Sequence, residues 1–227
     1  MSDLQALDAL FADHQDQWWD GFYTQRAKPV PFFVPAPDES LVAWLGEGRL
    51  GQGGSAIDLG CGHARNALYL ARAGWSVQAV DFSAKALEWA AQRVAQAGVQ
   101  LSLQQASVFE WEPAAGPVDL IVDSGLFHHL PPHRRAGYIE RIVRWLKPGG
   151  CLVMSCFRPE GGSGLSDEQV YERRTLGGGL GYTEAQLRAL WGGVLDIDVV
   201  RPMLAQPEGA PTFGLDFLWV MLAHKRL

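Results

Sequence analysis

Apolar positions along this chain alternate between two periods. Ala56, Ile57 and Leu59 make a short apolar run broken by Asp58, and Val77 to Val80 make a second that ends in Asp81. Between them Ala64, Ala67, Leu68 and Ala71 recur at i, i+3, i+4 and i+7, the spacing of one helix face. Gly74 supplies the stop. The alternation then repeats. Ser83 is placed to cap a helix whose face carries Leu87, Ala90, Ala91 and Val94, with Gly98 as its end. Val99, Leu101 and Leu103 alternate as a third strand. Val118 to Val122 is almost continuously apolar, as in a strand covered on both faces. Tyr138, Ile139, Ile142, Val143 and Leu146 form the next helical face, broken at Lys147-Pro148-Gly149-Gly150, and Cys151 to Phe157 is a fifth strand. Strands alternating with helices predict an α/β domain with a parallel sheet.

The two ends of the chain depart from this rhythm. Leu4, Leu7, Leu10 and Phe11 predict a helix ahead of the main domain. Next comes a segment dense in aromatics, Trp18, Trp19, Phe22, Tyr23, Phe32 and Phe33, with prolines at 29, 31, 35 and 37 that forbid a long helix across its second half. Two readings fit it: a strap packed on the core, or a lid whose aromatic face lies over a ligand. Leu41, Val42, Trp44 and Leu45 predict a short helix, and GEGRLGQGG a linker. After Phe157 a glycine-rich, charged stretch runs to Gly181 and reads as a disordered insertion or a mobile lid. Thr183 with Gln186 makes a capping box for a helix to about Trp191. Val194 to Arg201 and Gly214 to Ala223 read as the last two strands. The chain divides as one domain over 1–227: an N-terminal helix and aromatic strap (1–50), a core (51–157), and a glycine-rich segment with a C-terminal hairpin (158–227).

Composition narrows the function. The 227 residues carry 48% hydrophobic and 19% charged residues, ample for one globular core, and the net charge is −6. With no block of Lys or Arg, a nucleic-acid footprint is not expected. The N-terminus carries acids where a signal peptide carries bases, and no long apolar run exists, so no membrane role is expected. Cys61, Cys151 and Cys156 form no C-x-x-C pair, which points to the reducing cytoplasm. His14, His133 and His224 fall on expected surface faces. No histidine repeats at metal-ligand spacing, so no metal is expected. Oligomeric state is not legible.

The chemistry centres on Gly60-Cys61-Gly62, between the first strand and its helix. Such a turn needs torsions or a close approach that a side chain blocks, and it exposes backbone N–H groups to a ligand. Asp81, about 20 residues on at the end of the next strand, is placed to accept ribose hydroxyls. A dinucleotide turn wants G-x-G-x-x-G, but Arg65 stands where its third glycine belongs. Asp58-Leu59-Gly60-Cys61-Gly62-His63-Ala64 instead resembles motif I, acid-x-G-x-G-x-G, of class I S-adenosylmethionine-dependent methyltransferases, with Ala64 for the last glycine. Asp81, the loop DSGLFHHL and the downstream LKPGG follow in that family's order. The resemblance implies a Rossmann-like seven-stranded, mostly parallel sheet with helices on both faces and an antiparallel last strand. It implies S-adenosyl-L-methionine as cofactor, held by Asp58, Gly60, Cys61, Gly62 and the ribose-binding Asp81 with Phe82 beside it. Ser107 and Val108 are the expected adenine contacts, where the family usually has an acid. Asp123, at the end of the fourth strand, flanks the methyl donor. Trp19 and Tyr23 come from the strap, whose proline-rich continuation looks like the thiopurine and tellurite-resistance branch.

On the acceptor side the loop from Ser124 to His129 lies at a strand end, where ligands bind in open α/β sheets. His128 or His129 is the candidate general base, and Arg158 the candidate for orienting an anionic acceptor. Arg65 opens a helix, where the dipole disfavours a cation. It reads either as a ligand for the methionine carboxylate or as an exposed arginine. His63 reads as a solvated turn residue or a border of the methionine pocket. The expected activity is methyl transfer to a small-molecule sulfur, selenium, tellurium, oxygen or nitrogen nucleophile. The rivals are a nucleotide-dependent oxidoreductase and a non-catalytic cofactor-binding member of the fold.

Overall fold

The protein is described by a computed structural model covering residues 3–11 and 16–227; His14 lies outside the described residues. Its centre is a seven-stranded sheet built from β1 (Ser55–Leu59), β2 (Ser76–Asp81), β3 (Ser102–Gln105), β4 (Val118–Ser124), β5 (Leu146–Phe157), β6 (Leu195–Pro202) and β7 (Leu218–Lys225). The strand order is β3-β2-β1-β4-β5-β7-β6. The first five strands are parallel, and β7 runs antiparallel to both β5 and β6. Register places Leu59 beside Val80 and beside Asp123, and Asp123 beside Met154. The carboxyl ends of β1, β2, β4 and β5 therefore share one edge.

Both faces are covered, which is why these strands read as nearly unbroken apolar runs. Ile57, Leu59, Ile121, Leu152 and Met154 pack on one side with Trp145 and Trp191. Those tryptophans come from α6 (Pro132–Trp145) and α8 (Glu184–Trp191). Ala56, Leu120, Val122 and Val153 pack on the other with Leu41, Trp44 and Leu68, from α3 (Glu39–Gly46) and α4 (Arg65–Arg72). Helix α5 (Ala84–Ala97) opens at Ser83, whose hydroxyl accepts the Ala86 N–H, and closes at left-handed Gly98. At the N-terminus α1 (Asp3–Asp8) brings Phe11, 2% exposed, into the core.

Four local expectations change. The fifth strand begins at Leu146 rather than Cys151, so Lys147 to Gly150 lie within it. The third strand begins at Ser102, so Val99 and Leu101 precede it; β2 pairs with it from Gln78 onward. The last strand begins at Leu218 rather than Gly214, because Phe213 pairs elsewhere: its N–H donates to the Pro37 carbonyl (2.7 Å), and its carbonyl accepts from Glu39 (2.9 Å). The glycine-rich stretch is ordered around α7 (Asp167–Arg173), which has a full capping box from Ser166 and Gln169. The first half of the aromatic strap is α2 (Asp16–Thr24), and the prolines begin only after it ends.

Among the described residues no helix is long and apolar enough to cross a membrane.

Candidate active site

The turn after β1 is left-handed at Gly60, Gly62 and Ala64 (φ 62°, 55° and 63°). Glycine takes these torsions freely; Ala64 takes one as the residue leading into α4. Space enforces the choice as well. A Cβ on Gly60 would sit 2.8 Å from the Leu126 side chain, and one on Gly62 would sit 2.6 Å from the Tyr23 hydroxyl. Loop and strap thus close directly over the turn, around a cavity of about 350 Å³, within the roughly 300–1,000 Å³ of small-molecule sites.

Two carboxyls line its floor. Asp58 accepts the Ala67 N–H (3.0 Å), and Asp81 accepts those of Gly62 (2.8 Å) and Ser83 (2.9 Å). Burial drives Asp58 up to about 7, against the pull of Arg65, and Asp81 up to about 6, against its backbone donors. A cationic ligand entering this cavity would favour their ionised forms.

Arg65 is buried, not exposed. Its guanidinium pairs with Asp38 at 2.5 Å, donates to the Ser124 hydroxyl (2.8 Å) and the Ala36 carbonyl, and lies 4.2 Å from the Phe213 ring centre. Asp38 and Asn66 bond reciprocally beneath it. The cation at the start of α4 therefore ties the strap, the first helix and the β4 loop together. His63 is buried as well, 3% exposed, with Nε2 3.0 Å from the Val34 carbonyl and its ring against Trp89. Desolvation first, then Arg93 and Arg65, lower it to about 3, which corrects the reading of a solvated turn residue.

The mouth is aromatic. Trp18, Trp19, Phe22 and Phe32 meet one another in stacked and edge contacts, and Trp19 presents its edge to His129 at 4.8 Å. Helix α2 is docked by polar contacts too: Asp20 accepts the Ser83 hydroxyl (2.6 Å) and the Lys85 N–H (3.2 Å), placing an anion at the N-terminus of α5.

Of the residues singled out in the sequence, Asp58, Gly60, Cys61, Gly62, Arg65, Asp81, Phe82, Trp19, Tyr23, His128 and His129 all line this one cavity. Asp123, Ser107, Val108 and Arg158 lie outside its lining. Asp123 is occupied by the N–H groups of Leu126 (2.7 Å) and Phe127 (3.1 Å) and by the Tyr138 hydroxyl (2.7 Å). The Ser107 hydroxyl accepts the Phe109 N–H, and Val108 is buried in the core. Arg158 donates to the Asp216 carbonyl (2.6 Å) and lies over the Trp219 ring. His133, expected on the surface, has its side chain 6% exposed beside Asp8 and Tyr171. His224 sits beside Asp198 and is partly exposed.

Sequence reasoning missed one wall. Phe213, Leu215, Phe217 and Leu218 line the cavity from the β6–β7 connection. The alternation Phe213, Leu215, Phe217 was the available signal, and it reads equally as a strand.

A strand–glycine turn–helix unit, an acid at the next strand end and a cavity on the carboxyl edge lie where open α/β sheets bind ligands. Residues 56–150 match a family model described as a methyltransferase domain. The 2-heptyl-1-hydroxyquinolin-4(1H)-one methyltransferase of Mycobacteroides abscessus is 30% identical over 59% of this chain and 58% of its own. Ribosomal RNA small subunit methyltransferase C of Alcanivorax borkumensis is 36% identical over 46% of this chain and 32% of its own. The chain thus spans less than two thirds of these relatives. A solved structure from work on conversion of a disulfide bond into a thioacetal group during echinomycin biosynthesis superposes with a TM-score of 0.70. It is 23% identical and covers 93% of each chain. TehB from Haemophilus influenzae superposes at 0.64, 16% identical, covering 86% of this chain and 64% of its own. Over residues 56–150 the chain is similar to methyltransferase domains, and its fold is that of the solved methyltransferase structures it superposes on.

Proposed function

We propose that this chain binds S-adenosylmethionine over the glycine turn and catalyses transfer of its methyl group to a small-molecule nucleophile. The observation that carries the reading is the joint placement of Asp81 and the Gly60–Gly62 turn in one cavity. The cradle fits the group: neither glycine has room for a Cβ, and Asp58 and Asp81 are buried carboxyls that a cationic cofactor would stabilise. When bound, the cofactor supplies an electrophilic methyl on a sulfonium. Asp81 would hold the ribose hydroxyls, and Asp58, Cys61 and Phe82 the remainder of the floor. Arg65, with one face already engaged by Asp38, would complete the methionine end.

The residues around the mouth orient and exclude water. Trp19 and Tyr23 cover the turn, where aromatic faces favour a cation. Holding donor and nucleophile together supplies about 7–11 kcal/mol in favourable cases, so orientation outweighs any base. The acceptor is proposed to be small and aromatic or apolar, because Phe157, Phe213 and Phe217 wall the cavity. A 1-hydroxyquinolinone is what one relative's name says it methylates, and an acceptor of that kind suits the aromatic mouth. A net charge of −6 supports a small molecule over nucleic acid. The free thiols Cys61, Cys151 and Cys156 suit a cytoplasmic setting.

Calorimetry with S-adenosylmethionine and S-adenosylhomocysteine tests the cofactor. Production of S-adenosylhomocysteine across a panel of thiols, phenols, N-hydroxy heteroarenes, amines and metalloid oxyanions tests the acceptor. Binding of both ligands with turnover of at least one acceptor is expected; no binding of either ligand would sink the reading.

A further inference from the structure

Of the three imidazoles that line the cavity, His128 and His129 touch each other, and their bonding determines which protons they carry. The Phe157 N–H donates to Nδ1 of His128 (3.2 Å). Nδ1 is therefore the bare nitrogen, and in the neutral ring the proton sits on Nε2. That Nε2 lies 3.0 Å from Nε2 of His129. His129 must then accept there and carry its own proton on Nδ1. A proton on both facing nitrogens would set two N–H groups against each other at that distance.

His128 has no room to reorient. Its ring stacks on Phe157 with centres 3.7 Å apart and planes 18° apart. Gly125 and Gly179 press on its edges, where a Cβ would come within 3.3 Å of Cε1 and 3.0 Å of Cδ2. Its own carbonyl accepts the Leu180 N–H (2.8 Å). The glycine-rich segment thus clamps this ring through Gly179 and Leu180. A half-turn of the ring would exchange Nδ1 for carbon and orphan the Phe157 donor.

Resting on the methyltransferase reading above, we infer that His128 is a positioning residue that locks His129 as a hydrogen-bond donor rather than a base. The site then takes acceptors that arrive already ionised: thiols, acidic phenols and N-hydroxy heteroarenes. Such an acceptor brings an electron pair to the methyl carbon as the carbon–sulfur bond breaks, and no proton has to leave within the cavity. An aliphatic alcohol, which must lose a proton to an enzyme base, would not turn over. Burial agrees with this, holding His129 down at about 4 and His128 well below the usual imidazole range.

The test is ¹⁵N NMR of the imidazoles in the full chain without cofactor, assigned with His128→Leu and His129→Leu. Wild type should show opposite neutral tautomers, Nε2–H on His128 and Nδ1–H on His129, unchanged through neutral pH. His128→Gln keeps an amide donor and should preserve the His129 tautomer. His128→Leu removes the donor facing His129 Nε2 and should release the His129 tautomer, so that Nε2–H becomes populated, while burial still holds its titration low. A His129 carrying its proton on Nε2, or titrating near neutrality in wild type, would overturn the inference. So would methylation of benzyl alcohol at a rate matching 4-nitrophenol or thiophenol. Failure to bind S-adenosylmethionine would sink the proposed function and leave these tautomers standing.

Discussion

Asp81 and Asp123 are two aspartates in matching places with different fates. Each lies at the carboxyl end of a parallel strand on the same edge of the sheet, Asp81 as the last residue of β2 and Asp123 as the last but one of β4; each is buried, and burial pushes each up to about 6. Past β2 the chain passes into the cap of α5, and Asp81 receives the N–H groups of Gly62 and Ser83 while still facing the cavity. Past β4 the chain folds back in a 3-10 turn over Phe127–His129. Asp123 is consumed there by two backbone donors and by Tyr138 from α6. Position on the edge makes a carboxylate available, and the loop after the strand decides whether it is spent on the fold or left for a ligand.

The sharpest way to break this comparison is Asp123→Ala. Three donors lose their acceptor in the interior, at about 1–3 kcal/mol each. Denaturant melts should show a loss of about 3 kcal/mol or more. An unchanged midpoint would mean that Asp123 does not hold the turn.

Asp81→Ala should act the other way round. One of its donors, the Gly62 N–H, lies in the cavity wall rather than in the packed core, so the fold should lose less. Calorimetry should show S-adenosylmethionine affinity falling roughly 10- to 150-fold, the equivalent of about 1.5–3 kcal/mol for hydrogen bonds to a charged group. Equal affinity in the two proteins would remove Asp81 from the site.

Acidity separates the pair by a smaller margin. A ribose-binding Asp81 must be ionised, so affinity should fall as pH drops through about 6, at most about tenfold per unit. Asp81→Asn should flatten that profile. For Asp123 the quantity at stake is stability. Its folded value lies above the ordinary carboxyl value of about 3.9. Its share of stability is therefore complete below about pH 4 and is lost as pH rises through about 6. Melts of Asp123→Asn against wild type across this range should show the gap change, with S-adenosylmethionine affinity unaffected.

The aromatic strap and the sheet differ in how far the sequence alone describes them. Strand and helix periods around Asp58 to Asp81 are local properties, set by side chains a few residues apart. They place the core elements in order, with the start of the fifth strand five residues late, and the glycine turn with its acid is read directly. Cys61 reaches the cavity on the glycine turn, Asp58 at the end of β1 just before it, and Phe82 directly after β2.

The loops beyond the strand ends obey no such local rule. That Trp19, Tyr23, His129 and Phe213 meet over one turn depends on where α2 docks through Asp20 and where Phe213 pairs with the strap. Neither contact leaves a periodic trace. His63 and Arg65 look like solvated turn and helix-end residues until the strap covers them. Arg65 finds its partner in Asp38, outside the core motif. The chain by itself determined the parallel sheet, the order of its motifs and the cofactor edge, because those rest on spacing along the backbone. Only the tertiary structure decided which strand-end carboxylate stays free and which imidazole nitrogen holds its proton, because both are set by donors far apart in sequence that the fold brings within about 3 Å, the length of a hydrogen bond.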